Sequence, residues 1–298
     1  TVMREMPTPA EEELEPVASV WQASIELAFQ VSRDSCRLAR SRHSGPLYVQ
    51  KPFYPEGKSL AHVYLLHPPG GLVSGDDLKI DVEVQAGAQA LLTTPGAGRV
   101  YRARKDRSLQ RQRVTLRVDA GATLEWMPME TIVYRDANAR LETHVELAEG
   151  ARYIGWEITS LGLPASDVIF DCGQLQQRLR IEREGLPVLI ENLHLADNLL
   201  PMFKSKAGLQ GKPVSALFVA GPFSADELDD ALFQCARDVL SEGSRQSGAG
   251  ISRVGDFVVA RCLDDCTYRV RIKLVALWAV LRPALIQREA CAPRIWAT

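Results

Sequence analysis

The sequence predicts a mainly β fold, a stacked β-sheet or β-helix-like architecture with two α-helices in the C-terminal third. Three observations predict it: a hydrophobic period of two from Trp21 to about Ile190, a turn word that recurs between strands, and a helical period that starts only after Pro222.

The strands are read from alternation, because successive side chains of an extended chain point to opposite faces. Ile80, Val82 and Val84 alternate with Asp81 and Glu83, and Val114, Leu116 and Val118 with Arg113, Thr115 and Arg117. Ile154, Trp156 and Ile158 carry Glu157 to the opposite side. The turn word is Gly-Ala, at Gly87-Ala88, Gly121-Ala122 and Gly150-Ala151. Glycine accepts the positive φ of a tight turn, so each word joins one strand to the next. The irregular repeat resembles a sandwich or a β-helix-like pile of hairpins.

After Pro222 the period lengthens. Ser224 with Glu227 forms a capping-box pattern, and Leu228, Ala231, Leu232, Cys235, Val239 and Leu240 make one apolar face, so a helix is expected there. Ser241 to Gly250 is rich in Ser and Gly and reads as a flexible loop. Tyr268 to Leu281 is a second helix, expected to end or kink before Pro283.

Composition bounds the function. Among 298 residues, 46% are hydrophobic and 24% charged, which is ordinary for a folded globular protein and excludes fibres and bulk disorder. The 35 Lys and Arg against 37 Asp and Glu give a net charge of −2, so no chain-wide positive field attracts nucleic acid or an anionic membrane. Six scattered cysteines fit a reducing, cytoplasmic setting better than a disulfide framework. The longest apolar run, Leu274 to Leu281, is well short of the roughly 20 residues that span a bilayer. Residues 1–16, with Glu11-Glu12-Glu13, lack the basic start and apolar stretch of a signal peptide and are expected to be a disordered acidic tail. Residues 17–298 are expected to form one β-rich domain.

The most unusual segment is His67-Pro68-Pro69-Gly70-Gly71-Leu72-Val73-Ser74-Gly75-Asp76-Asp77. Two prolines fix an extended approach, and the glycines then allow conformations closed to other residues. Asp76 and Asp77 are either solvated turn residues or a corner that attracts a divalent cation. Thr93-Thr94-Pro95-Gly96-Ala97-Gly98 leads into an Arg- and Tyr-bearing run, Arg99 to Arg107, read as a solvated edge or a partner surface. Glu125, Glu157 and Glu191 lie on strands; if both faces of the sheet are covered they are buried carboxylates in need of partners, water or a cation, and otherwise they are solvated. The five histidines show no zinc spacing, and no nucleophile elbow, Walker or kinase motif occurs, so no catalytic set can be assembled.

Longer words then carry a resemblance. Gly45-Pro46-Leu47-Tyr48-Val49-Gln50-Lys51-Pro52-Phe53-Tyr54-Pro55-Glu56, Leu65-Leu66-His67-Pro68-Pro69-Gly70-Gly71 through Gly75-Asp76, Thr93-Thr94-Pro95-Gly96-Ala97 with Tyr101-Arg102, Leu124-Glu125-Trp126 with Pro128 and Glu130, and Pro293-Arg294-Ile295-Trp296-Ala297-Thr298 follow one another in order. Together they resemble the urease accessory protein D family (UreD, named UreH in some organisms) from about Trp21 to Thr298. The resemblance implies a non-enzymatic metallochaperone scaffold, mostly β with two helices. It implies binding to UreF, which recruits the GTPase UreG, in a dimer of heterodimers with UreF that docks on the urease apoprotein. It also implies no tightly bound cofactor, with Ni²⁺ as transient cargo conducted through an internal tunnel.

By family position, the acidic residues implied to line that route are Asp76, Asp77, Glu157 and Glu191, with Glu125 and Glu130 in a motif of weaker assignment. Some words depart from the family. Leu163 stands in Leu161-Gly162-Leu163-Pro164 where an arginine is usual, Gly98-Arg99-Val100 replaces a small-polar, Lys, Phe run, and Met129 replaces Gln. Two alternatives remain beside this reading. One is an assembly-only scaffold that never touches nickel. The other is a polysaccharide-acting enzyme on a β-helix, using Asp76, Asp77 and Glu157 as acid and base.

Overall fold

A computed structural model of the chain describes residues 20–196, 199–242 and 248–297. The expected acidic tail at residues 1–16 lies outside the described residues, as does Thr298 of the last motif. In chain order the strands are β1 (Trp21–Ser32), β2 (Ser35–Ser44), β3 (Tyr48–Val49), β4 (Leu60–Leu66), β5 (Asp76–Val84), β6 (Gln89–Thr93), β7 (Gly98–Val100), β8 (Gln110–Val118), β9 (Thr123–Trp126), β10 (Thr131–Val133), β11 (Asn138–Leu147), β12 (Arg152–Leu163), β13 (Val168–Ile169), β14 (Gln174–Arg183) and β15 (Leu186–Leu195). Helix α1 (Leu199–Lys204), β16 (Val214–Gly221), α2 (Asp230–Ser241), β17 (Gly248–Val254), β18 (Phe257–Asp264) and α3 (Thr267–Ile286) complete the path.

The expected stacked, β-helix-like architecture is what these strands form. A first sheet runs β15-β14-β11-β8-β5-β1-β2, and a second runs β17-β18-β16-β12-β9-β6-β4-β3. Strands β5, β8, β11 and β14 are parallel in the first sheet, and β4, β6, β9 and β12 in the second. Short β7 and β10 build a third parallel face ending on β12.

The Gly-Ala words are the corners of this pile. Gly87, Gly121 and Gly150 take φ of +72°, +64° and +69°. Each corner carries the chain from the first sheet to the second, so the words join coils of a β-helix rather than hairpin partners. The corners stack: the Gly87 N–H donates to the Ala120 carbonyl at 3.1 Å and the Gly121 N–H to Glu149 at 3.2 Å.

Two cores result, because the second sheet is covered on both faces. Between the sheets, Ile25, Val82, Leu116 and Val145 meet Leu92, Leu124, Tyr153 and Val219. On the far face, Leu91, Ile154, Trp156 and Phe218 pack under Val270, Leu274, Trp278 and Leu281 of α3.

Both predicted helices form, with shifted limits, and the short α1 is a third helix that the sequence reading does not anticipate. The Ser224/Glu227 box makes its two reciprocal hydrogen bonds but closes a turn; α2 starts later, where the Asp229 carboxylate accepts from the Leu232 N–H at 2.7 Å. Its inward face is Leu232, Phe233, Ala236 and Leu240, while Ala231 and Cys235, expected on that face, are exposed. Helix α3 continues through Pro283 to Ile286 and ends on a left-handed Gln287 whose N–H donates to the Pro283 carbonyl. Proline removes one hydrogen bond near the helix end, and burial of Leu281 and Leu285 offsets it. Within the expected loop at Ser241 to Gly250, residues 243–247 lie outside the described residues. Gly248 to Gly250 instead pair with β18, since they extend a strand whose partner is already in place.

Candidate functional site

The His67 to Asp77 segment is a shaped wall. Gly70 has a φ of +72°, and a Cβ on Gly71 would lie 2.6 Å from the Tyr101 ring and 2.7 Å from the Arg99 carbonyl. Only glycine fits where two backbones approach this closely. Leu72 then pairs with the Arg99 to Tyr101 backbone, and β5 begins at Asp76.

That start separates the two aspartates. Asp76 points inward at 4% exposure, accepts from the Val73 N–H at 2.8 Å, and lies within electrostatic range of His67 and Arg104. Burial raises its pKa against those favourable contacts, and burial lowers that of His67. Asp77 points to the outer face and pairs with Arg113 at 2.7 Å. Of the two readings left open, neither describes the pair: neighbours on a strand face opposite ways, so Asp76 is buried rather than solvated and the two carboxylates do not share one corner.

Between the sheets lie two cavities. The first, about 280 Å³, is lined by His67, Thr94, Trp126, Thr143, Glu157 and Gln177 among others. The second, about 250 Å³, is lined by Glu157, Thr159, Gln177, Glu191, Leu209 and Arg261 among others. Glu157 and Gln177 belong to both, so they form the partition. The Thr143 hydroxyl donates to Glu157 Oε1 at 2.7 Å, and Gln177 Nε2 donates to Glu157 Oε2 at 2.9 Å. Burial raises the pKa of this carboxyl, only partly opposed by those two hydrogen bonds. Glu191, on β15, pairs with Arg261 of β18 at the second cavity.

Glu125 lies elsewhere. It is fully buried on the helix side of the second sheet, where Trp278 Nε1 donates to it at 2.7 Å and Arg282 makes two hydrogen bonds of 2.9 Å. Glu130 sits beyond β9, its carboxylate 3.5 Å from the Thr267 hydroxyl. The structure thus brings Glu157 and Glu191 to cavity walls, while Asp76, Asp77, Glu125 and Glu130 line neither cavity; Asp76 reaches the first only through its electrostatic contact with His67, which does line it. Among the described residues no three His, Cys, Asp or Glu side chains converge as a metal cage.

Sequence reasoning missed Gln177, Thr143 and Arg261. A signal exists for the first two: Gln177 interrupts Leu175, Leu179 and Ile181 on one face of β14, and Thr143 interrupts Leu141, Val145 and Leu147 on β11. Polar residues set in an otherwise apolar inner face mark the partition. The run from Arg99 is strand only to Val100; from there Arg102 and Arg107 approach Asp136 as solvated ion pairs at 3.4 and 3.6 Å.

The molecule is thus a β-helix whose two cavities share a glutamate wall. The family model described as UreD urease accessory protein matches residues 22–297. The urease accessory protein UreD of Marinomonas sp. (strain MWYL1) is 45% identical over 287 residues, covering 94% of this chain and 91% of the relative. That of Hahella chejuensis is 39% identical, covering 97% and 96%, and that of Alkalilimnicola ehrlichii 43% identical, covering 95% and 94%. The chain belongs to the UreD urease accessory protein family. It is a non-catalytic helper of the urease machinery, and no helix among the described residues is long and apolar enough to cross a membrane. The polysaccharide-enzyme alternative falls with this finding, and of its three carboxylates Asp77 faces out, away from Glu157.

Proposed function

We propose that this chain is the scaffold through which Ni²⁺ reaches apo-urease. It binds UreF, which recruits the GTPase UreG, as a dimer of heterodimers in the cytoplasm, and the assembly docks on the urease apoprotein. Nickel is its cargo and not a resident cofactor. The observation that carries the reading is the pair of cavities between the sheets that share Glu157 as a wall.

A divalent cation crossing low-dielectric protein needs oxygen ligands along its way, yet must leave each of them. Widely spaced carboxylates serve that purpose, whereas a closed cage would retain the ion. The route runs from Asp76 and His67, through the first cavity to Glu157, and through the second to Glu191. Asp77 and Glu125 are removed from it, because Arg113 and Arg282 hold them outside the cavities. One observation favours the assembly-only scaffold: Glu191 already holds a cation, Arg261.

Glu157→Leu decides between the two. The expected result is urease with markedly less nickel while the variant still co-purifies with UreF. Wild-type nickel content in that variant would remove Glu157 from the route.

A further inference from the structure

We propose that Gln177 is the gate of the interior: its carboxamide closes the partition between the two cavities, and a divalent cation crosses only when that amide swings off Glu157. This inference rests on the route proposed above.

The partition is one hydrogen-bonded chain from sheet to sheet. Thr143 on β11 donates to Glu157 Oε1, Gln177 on β14 donates to Glu157 Oε2, and Thr159 on β12 donates to Gln177 Oε1 at 2.9 Å. Thr143 lines the first cavity, Thr159 the second, and Glu157 and Gln177 line both. No guanidinium or ammonium is hydrogen-bonded in this chain, unlike the Glu191–Arg261 and Asp77–Arg113 pairs, so opening it separates no ion pair. The terminal torsion of glutamine is soft, and one Thr hydroxyl and one carboxylate are all that hold the amide. As it stands, the amide presents N–H to the carboxylate. Rotated, it presents its carbonyl oxygen instead, and with the Glu157 carboxylate it offers a passing divalent ion oxygen ligands alone.

The test compares Gln177→Met, which fills the same space without polar atoms, with Gln177→Ala, which opens the partition. Each is expressed with the cognate urease and accessory proteins, assembly is checked by co-purification, and nickel per urease active site is measured at short times after Ni²⁺ addition. A gate predicts loading at least about tenfold slower for Gln177→Met, equivalent to ~1.4 kcal/mol, and at least as fast as wild type for Gln177→Ala. A merely structural brace would make both variants fail alike. Wild-type loading by Gln177→Met, or slow loading by Gln177→Ala in an intact complex, overturns the gate.

Glu157→Leu in the same cells separates the two levels of argument. Blocked loading there with normal Gln177→Met means a route without this gate, whereas normal loading in both removes the route itself. Should Gln177→Met fail to accumulate, Thr159→Val removes only the hydroxyl that anchors the amide oxygen. Faster loading is then expected, and unchanged or slower loading contradicts the gate.

Discussion

Arg282 shows what a buried charge requires in this protein. Its side chain is inaccessible to solvent, and it lies between Glu125, with two contacts of 2.9 Å, and Glu56, with two of 2.8 Å, while also donating to the Glu289 carbonyl. Desolvating three charges is costly, and only a fully hydrogen-bonded arrangement offsets it. Arg282→Met would strand two carboxylates in the helix-side core, and a loss of about 3–5 kcal/mol is expected in urea unfolding. A loss below ~1 kcal/mol would show that the cluster relaxes. Burial alone would raise the pKa of Glu56, but the hydrogen bonds and charges of His62 and Arg282 lower it to about 2. Its unfolded value is higher, so the unfolded chain takes up the proton first as pH falls. The stability from Glu56 is therefore complete above the ordinary carboxylate pKa and is lost on acidification toward about 2. Glu56→Gln should flatten the acid limb of the stability profile, and an unchanged limb would contradict this. Glu157 has the opposite sign, because its pKa is raised: its stability contribution falls as pH rises above the ordinary carboxylate range. Glu157→Gln is accordingly expected to raise the melting temperature at neutral pH, and a lower one would mean that the charge is stabilising.

At the scale of elements, the corners set the stack. Gly121 has open space around its would-be Cβ, so replacement there costs only backbone strain. Gly121→Ala should lose about 1–2 kcal/mol through its positive φ alone. Gly71→Ala should lose more and loosen the first cavity, because its Cβ meets the Tyr101 ring and the Arg99 carbonyl. Comparing the two melting curves checks the ranking, and equal losses would refute it. The strands were legible because alternation and glycine are local signals, and β5 and β8 alternate as read. Helix limits were less legible. Ser224 and Asp229 are both acceptable caps six residues or fewer apart, and the choice between them depends on how the helix packs against α3 and β17 rather than on local chemistry.

For the whole molecule, the roles of Glu125 and Glu157 show where sequence stops. Each is a strand glutamate beside a tryptophan: Leu124-Glu125-Trp126 and Trp156-Glu157-Ile158. Yet Leu124 and Trp126 face the interior and send Glu125 to the helices, while Trp156 and Ile158 face the helices and send Glu157 inward. Both faces of the sheet are covered, so hydrophobic pattern carries no information about which side is which; only the stacking of β9 against β12 decides it. The stacked architecture was therefore readable, whereas which carboxylates reach a cavity, and the partition between the cavities, required the assembled sheets. The most direct test of the central claim is nickel per active site in urease from cells in which Asp76, Glu157 and Glu191 are together replaced by Asn and Gln, with the accessory complex shown to assemble. A route through this protein predicts urease with little nickel despite an intact complex; full nickel content there would contradict it and leave a scaffold that acts by assembly alone.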